Sequence, residues 1–169
     1  MMIDLHWLEL HPKETREFCL QAAPQELSVN TSETRLMKPV EVDLSITNTG
    51  RLMVGHGSIK ATIEFDCGRC LKPYRRDFDV PFDIELCSDK NKHHFAGEEN
   101  FIYYNSNEPQ VDIKPVIEEN IVLALPIRPL CSEECRGLCP NCGRELDKGP
   151  CECQPKETDP RWDALKKLL

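Results

Sequence analysis

The sequence lacks most of the features that assign a chain quickly. No run approaches the about 20 consecutive apolar residues of a membrane-spanning helix. The opening stretch MMIDLHWLELHPKE carries Asp4 and Glu9 and no long apolar segment. It does not read as a secretory signal or a transit peptide, so the expected location is the cytoplasm, away from membranes. There is no internal repeat and no low-complexity tract. A G-x-x-x-x-G-K-S/T phosphate loop is missing, as is any recognisable Ser/His/Asp set. Carboxylates are abundant but fall mostly on the wet faces of strands. These absences predict a protein that is not an enzyme and takes no small-molecule substrate. Excess positive charge is missing too. A net charge of −8 argues against non-specific nucleic-acid binding by the chain as a whole. It leaves room for a local basic patch or for a protein partner.

Apolar residues are also nearly absent from residues 126–153, PIRPLCSEECRGLCPNCGRELDKGPCEC. This segment cannot fold by burying a core, yet ordering its backbone costs roughly 1–2 kcal/mol per residue. What it does contain is six of the ten cysteines, spaced C-x3-C-x3-C-x2-C-x8-C-x-C from Cys131 through Cys135, Cys139, Cys142 and Cys151 to Cys153. In a reducing cytosol such clustering points to metal rather than to disulfides or spare thiols. Zinc held by four thiolates contributes on the order of 10–16 kcal/mol in small zinc modules. Six thiols are more than one ion needs. The compact set Cys131, Cys135, Cys139 and Cys142 is the expected zinc site. The two-turn set Cys139, Cys142, Cys151 and Cys153 is the alternative.

A further pair, Cys67 and Cys70, lies in the turn DCGRCLKPYRR. It admits three readings: a redox pair, a metal-binding pair acting alone or with two cysteines of the later cluster, or a tight turn with two small, partly buried thiols. Thioredoxin-type pairs start a helix whose amino end stabilises the thiolate. Here Pro73 and an alternating strand follow instead. The same turn carries Arg69, Lys72, Arg75 and Arg76 with Tyr74 among them and no anion. Such a patch can meet phosphate while the ring stacks on an unpaired base. These five residues are the expected contact surface for RNA or a partner.

The remaining 40% hydrophobic content supports one modest core. Period-2 alternation predicts strands over residues 40–47, 58–67 and 77–86, joined by short turns into an antiparallel meander with one wet face. Pro81 places the third strand at an edge. Residues 1–10 alternate through Ile3, Leu5 and Trp7 and read as a first strand. Residues 11–24, bracketed by Pro12 and Pro24, read as a loop with a helical turn over 14–19. Short strands are expected near 26–30 and over 101–104. Residues 88–100 read as a polar loop whose His93 and His94 are solvated rather than ligating. Asp112 and Pro115 open a helix whose stripe is Ile113, Val116, Ile117, Ile121, Leu123 and Ala124, and Pro126 stops it. Asp159 and Pro160 open a terminal helix carrying Trp162, Leu165 and Leu169 that is too short to stand alone. The expected architecture is α+β: an antiparallel meander or open barrel-like sheet packed by one helix over residues 1–125. A cysteine-rich zinc-binding segment and a short terminal helix follow over 126–169.

Four motifs occur in one order: the C-x-R-C-L-x-P-Y turn, an apolar helix ending in LALP, PLCSEECRGLCPNCGREL followed by CEC, and DPRWDALKKLL. From about residue 59 to the end the chain resembles the YceD family, whose members are called large ribosomal RNA subunit accumulation proteins. The resemblance implies a cytoplasmic bacterial factor needed for large-subunit (23S) ribosomal RNA to be processed and to accumulate. Plant relatives act in plastids. The family is not known for a catalytic activity of its own. Relatives that lose the later cysteines imply that the metal stabilises the fold, and relatives that keep the first four favour Cys131, Cys135, Cys139 and Cys142. The expected partners are precursor ribosomal RNA, or assembly and processing proteins. The alternative is a pure protein adaptor whose acidic surface docks a basic ribosomal protein or a ribonuclease. A thiol oxidoreductase using Cys67 and Cys70 stands behind both.

Overall fold

A computed structural model of the chain describes residues 1–30, 34–91 and 101–153. The histidine pair at 93–94 and the terminal helix expected at 159–169 lie outside these residues. Elements follow in the order β1 (Met2–Asp4), α1 (His6–Leu10), β2 (Thr15–Ala22), β3 (Thr34–Leu36), β4 (Val40–Asn48), β5 (Met53–Asp66), β6 (Pro73–Ser88), β7 (Phe101–Tyr104), β8 (Gln110–Asp112) and α2 (Lys114–Ala124). Single 3-10 turns occupy Pro24–Glu26 and Leu146–Lys148.

The central sheet has the order β2-β4-β5-β6-β7, with β3 continuing the β4 side of β5. The antiparallel meander is β4-β5-β6. β7 joins β6 in parallel, through Glu85 to Ser88 only. No described strand pairing closes β2 onto β7, so the sheet is open. Residues 73–84 of β6 have no described strand on their outer side. Pro81 falls within that edge, where its missing N–H interrupts no ladder.

Alternation sets the two faces. Val40, Val42, Leu44 and Ile46 of β4 meet Ile59, Ile63 and Phe65 of β5 and Phe82, Ile84 and Leu86 of β6 in one buried layer. α2 closes this layer with Ile113, Ile117 and Ile121, while Leu123, expected in the stripe, is 75% exposed. Asp112 acts one position earlier than a cap: its carboxylate accepts the Lys114 N–H at 3.0 Å, and Ile113 is the capping residue.

The amino-terminal third departs from expectation. Only residues 2–4 form a strand, paired with β8. The Asp4 carboxylate accepts the His6 N–H at 2.9 Å and turns the chain into α1. Leu5 and Leu8 are then buried, and Trp7 points outward onto the His11 ring. The loop expected over 11–24, with its helical turn over 14–19, instead holds β2, an edge strand in which Phe18 and Leu20 are only half-covered. In place of a strand near 26–30 there is a 3-10 turn, and the short strand comes later, as β3.

Candidate metal centres

β5 and β6 pair over fourteen residues each, from Met53↔Leu86 to Asp66↔Pro73, and carry their turn well beyond the part of the sheet covered by α2. At the tip the Cys67 N–H donates to Lys72 O at 2.9 Å and the Leu71 N–H to Cys67 O at 2.9 Å. Leu71 takes the left-handed conformation at φ 59°, a cost that a bulky residue bears only where its surroundings fix it. The tight turn brings Cys67 and Cys70 to one side. After α2, Pro126 and Pro129 keep the chain extended, and the Gly68 N–H donates to Pro129 O at 2.8 Å. This lays residues 130–139 against the turn.

The ten cysteines are all free, and eight of them converge in two groups of four. One group is Cys67, Cys70, Cys131 and Cys135, and the other is Cys139, Cys142, Cys151 and Cys153; within each, all sulfurs lie within 4.8 Å of one another. The expected quartet Cys131, Cys135, Cys139 and Cys142 is therefore divided. Its first half joins the hairpin pair and its second half joins the last two cysteines. The physical reason is the docking of residues 130–139 on the hairpin, which supplies two thiols that local spacing cannot.

Both groups fit a tetrahedral thiophilic ion. Zinc–sulfur bonds of about 2.3 Å put ligand sulfurs about 3.8 Å apart along a tetrahedron's edge. Cys67 and Cys135 sulfurs are 3.9 Å apart and those of Cys70 and Cys131 3.7 Å. Cys139 and Cys151 approach to 3.3 Å, somewhat inside that edge. All these separations far exceed the about 2.05 Å of a disulfide. Backbone N–H groups point at the sulfurs, Cys131 N to Cys67 Sγ and Asn141 N to Cys139 Sγ, each at 3.4 Å. Gly143, at φ 72°, permits the turn in which its N–H meets Cys139 O at 2.9 Å.

The protonation of the thiols is what crowded metal ligands show. Burial opposes ionisation of Cys67, but the N–H groups of Cys131, Cys70 and Arg69 and the Cys70 thiol outweigh it and draw its pKa down to about 6. Cys139 is drawn to about 6 by the N–H groups of Cys142 and Asn141 and the Cys151 thiol. Cys135 is pushed up to about 12 by burial and by the neighbouring thiols. Cys153 rises to about 12 chiefly through its contact with Cys142. Cys67 and Cys139 are thus the thiols of each group drawn toward the thiolate, and a bound cation would draw their neighbours the same way. Four thiolates complete a tetrahedron and leave no position for water, the donor set of a structural rather than a catalytic site. Cys67 and Cys70 face this cluster and are buried, which counts against thiol exchange with a protein substrate.

Each of the five residues expected to contact RNA makes a contact within the chain, while Lys72 and Arg75 keep about half or more of their side chains in solvent. Arg69 donates to Cys135 O at 2.7 Å and Glu133 O at 3.1 Å. Lys72 pairs with Glu145 at 2.7 Å, and Arg75 with Glu64 at 3.0 Å. The Tyr74 ring is half-buried against Phe65, and Arg76 lies over the Phe78 ring. Sequence reasoning missed Glu145, which also pairs with Lys148 at 2.9 Å. Its only signal was an acid beside a cysteine run that faces a cationic turn.

The opposite, solvated face of the sheet is acidic. Glu41 and Asp43 of β4 and Asp77, Asp79, Asp83 and Glu85 of β6 alternate outward. Lys60 answers Asp43 at 3.0 Å, and His56 answers Asp83 at 2.6 Å.

Fold and site define an α+β protein in which a core-poor segment lies against a hairpin tip and two groups of four cysteines converge there. The family described as "Large ribosomal RNA subunit accumulation protein YceD" matches residues 55–169, and the chain belongs to it. YlbN of Bacillus subtilis is 29% identical over 173 residues, covering 98% of this chain and 94% of that protein. A protein of Mycobacterium tuberculosis is 28% identical over 130 residues, 77% of this chain, and this match spans 62% of the mycobacterial protein's length. The large ribosomal RNA subunit accumulation protein YceD of Haemophilus influenzae is 26% identical over 117 residues, 67% of this chain and 66% of its own. No solved structure matches the chain.

Proposed function

We propose that the protein is a non-enzymatic cytoplasmic factor that promotes processing and accumulation of large-subunit ribosomal RNA. It acts by holding precursor RNA, or a protein bound to it, in a productive state. The observation that carries this reading is the family match, which covers the long hairpin and both thiol clusters. Residues 1–125 serve as the platform and residues 126–169 as the metal-binding segment. Zinc is the ion that suits two sets of four thiolates, Cys67, Cys70, Cys131 and Cys135 in one and Cys139, Cys142, Cys151 and Cys153 in the other. It supplies folding energy and no chemistry. The test is deletion of the gene with measurement of precursor and mature large-subunit RNA. Loss of mature RNA with build-up of precursor is expected, and normal maturation would remove the reading.

The adaptor reading gains from one observation. Among the described residues the solvated sheet face is acidic, with Glu41 and Asp43 of β4 and Asp77, Asp79, Asp83 and Glu85 of β6 pointing outward. Such a face favours a basic protein over phosphate as the partner that is touched directly. Crosslinking in cells followed by nuclease treatment separates the two, since a protein contact survives it.

A further inference from the structure

We propose that the chain binds two thiophilic divalent ions with separate roles: one at Cys67, Cys70, Cys131 and Cys135 that clasps residues 126–153 to the β5–β6 tip, and one at Cys139, Cys142, Cys151 and Cys153 that folds a local knuckle. It rests on the thiolate-metal reading of both clusters and not on the ribosomal role.

The two clusters differ in what they join. The clasp links positions 61 and 68 residues apart, Cys70 to Cys131 and Cys67 to Cys135. In the knuckle, Cys139 and Cys151 are only 12 apart. They also differ in support. Around the knuckle the backbone contacts are local, with the Glu145 side chain reaching out to Lys72: Cys139 N to Arg144 O at 2.8 Å, Gly143 N to Cys139 O at 2.9 Å and Leu146 N to Gly137 O at 2.9 Å. Around the clasp they cross between two distant segments. Apart from the thiols, that junction has Leu130 and Leu138 beside Tyr74, the Arg69 hydrogen bonds, the Gly68–Pro129 hydrogen bond and the Lys72–Glu145 pair. This is a small apolar area with exposed polar contacts, too little to hold a core-poor segment unaided. Three of the four clasp cysteines are buried at the centre of the junction, so an ion there ties together the atoms on which docking depends. In the knuckle only Cys139 is buried.

The test uses full-length protein and zinc(II), with Cys131→Ser and Cys153→Ser as the variants, because neither residue is among the buried cysteines and serine disturbs packing little at both. Wild type should carry two zinc ions and each variant one. Limited trypsin digestion should cut after Arg69, whose side chain is bonded to the docked segment, much faster in Cys131→Ser, while Cys153→Ser stays as protected there as wild type. One ion in wild type, loss of both ions in either variant, or unchanged protection in Cys131→Ser would overturn the proposal. Should a variant fail to fold, graded chelation of wild type reads the same point. Two steps of zinc loss are expected, with cleavage after Arg69 following only one of them, and a single concerted step would overturn it. Metal content and cleavage are both independent of ribosomal RNA, so a failed role in ribosome maturation leaves these outcomes unaffected.

Discussion

Arg69 and Cys135, 66 residues apart in sequence, are joined by a 2.7 Å hydrogen bond from the guanidinium to the backbone carbonyl. The same nitrogen reaches Glu133 O at 3.1 Å, so one side chain fixes the carbonyls of Glu133 and Cys135 against the hairpin. Arg69→Ala should cost about 1–2 kcal/mol, the worth of one or two net hydrogen bonds, read from chemical denaturation. An Arg69→Ala protein as stable as wild type would mean that the guanidinium merely rests there.

Glu145 ties the metal segment to the hairpin through Lys72, and the Lys72 and Lys148 ammonium groups hold its carboxyl below the usual carboxylate range. A depressed carboxylate stabilises the fold above its unfolded pKa, about 4.3 for glutamate, and loses that contribution as pH falls through the lower folded value. The denaturation midpoint of wild type should exceed that of Glu145→Gln by a constant margin above about pH 5.5, and the margin should shrink as pH falls below about 4. A margin that does not shrink at all on acidification would assign the difference to something other than charge.

Gly57 has no room for a side chain. A Cβ there would sit 2.5 Å from Asp43 O and 2.8 Å from the Phe82 ring. Gly57→Val should destabilise by about 1–3 kcal/mol through overpacking against backbone. Thermal unfolding alongside an exposed control such as Val122→Ala, 52% exposed and expected within about 0.5 kcal/mol of wild type, would check it.

Ile63 is fully buried on the inner face of β5, opposite Arg76 of β6 and beside Leu36 of β3. Ile63→Ala should cost about 2–5 kcal/mol, because the rigid ladder on both sides limits collapse into the cavity. A cost below about 1 kcal/mol in an equilibrium unfolding experiment would show that the hairpin is looser than its pairing implies.

The meander was legible because three strands show strong alternation and each has one wet face, as with Val40 to Ile46 against Glu41 to Ser45. β2 was not, although Phe18, Leu20 and Ala22 do alternate. At an edge these side chains are only partly covered, and charged neighbours between two prolines gave the look of a loop. Ile3, Leu5 and Trp7 also alternate, yet the Asp4 carboxylate turns the chain at His6, a local hydrogen bond that periodicity does not register. At the candidate metal centres, local spacing showed which residues have the right chemistry and offered Cys139, Cys142, Cys151 and Cys153 as one set, but not which two later cysteines join the hairpin pair. Cys131 and Cys135 stand near Cys139 in sequence. Their partners were Cys67 and Cys70, and the segment between holds the whole of β6, β7 and α2.

The long β5–β6 ribbon has a mechanical consequence. At about 3.3 Å per residue its fourteen pairs span on the order of 45 Å, and β4 and β3 brace β5 along most of that length, as far as Phe65. Only the last pair and the turn stand beyond this bracing, so the clustered thiols sit at a stiff mount rather than on a swinging arm.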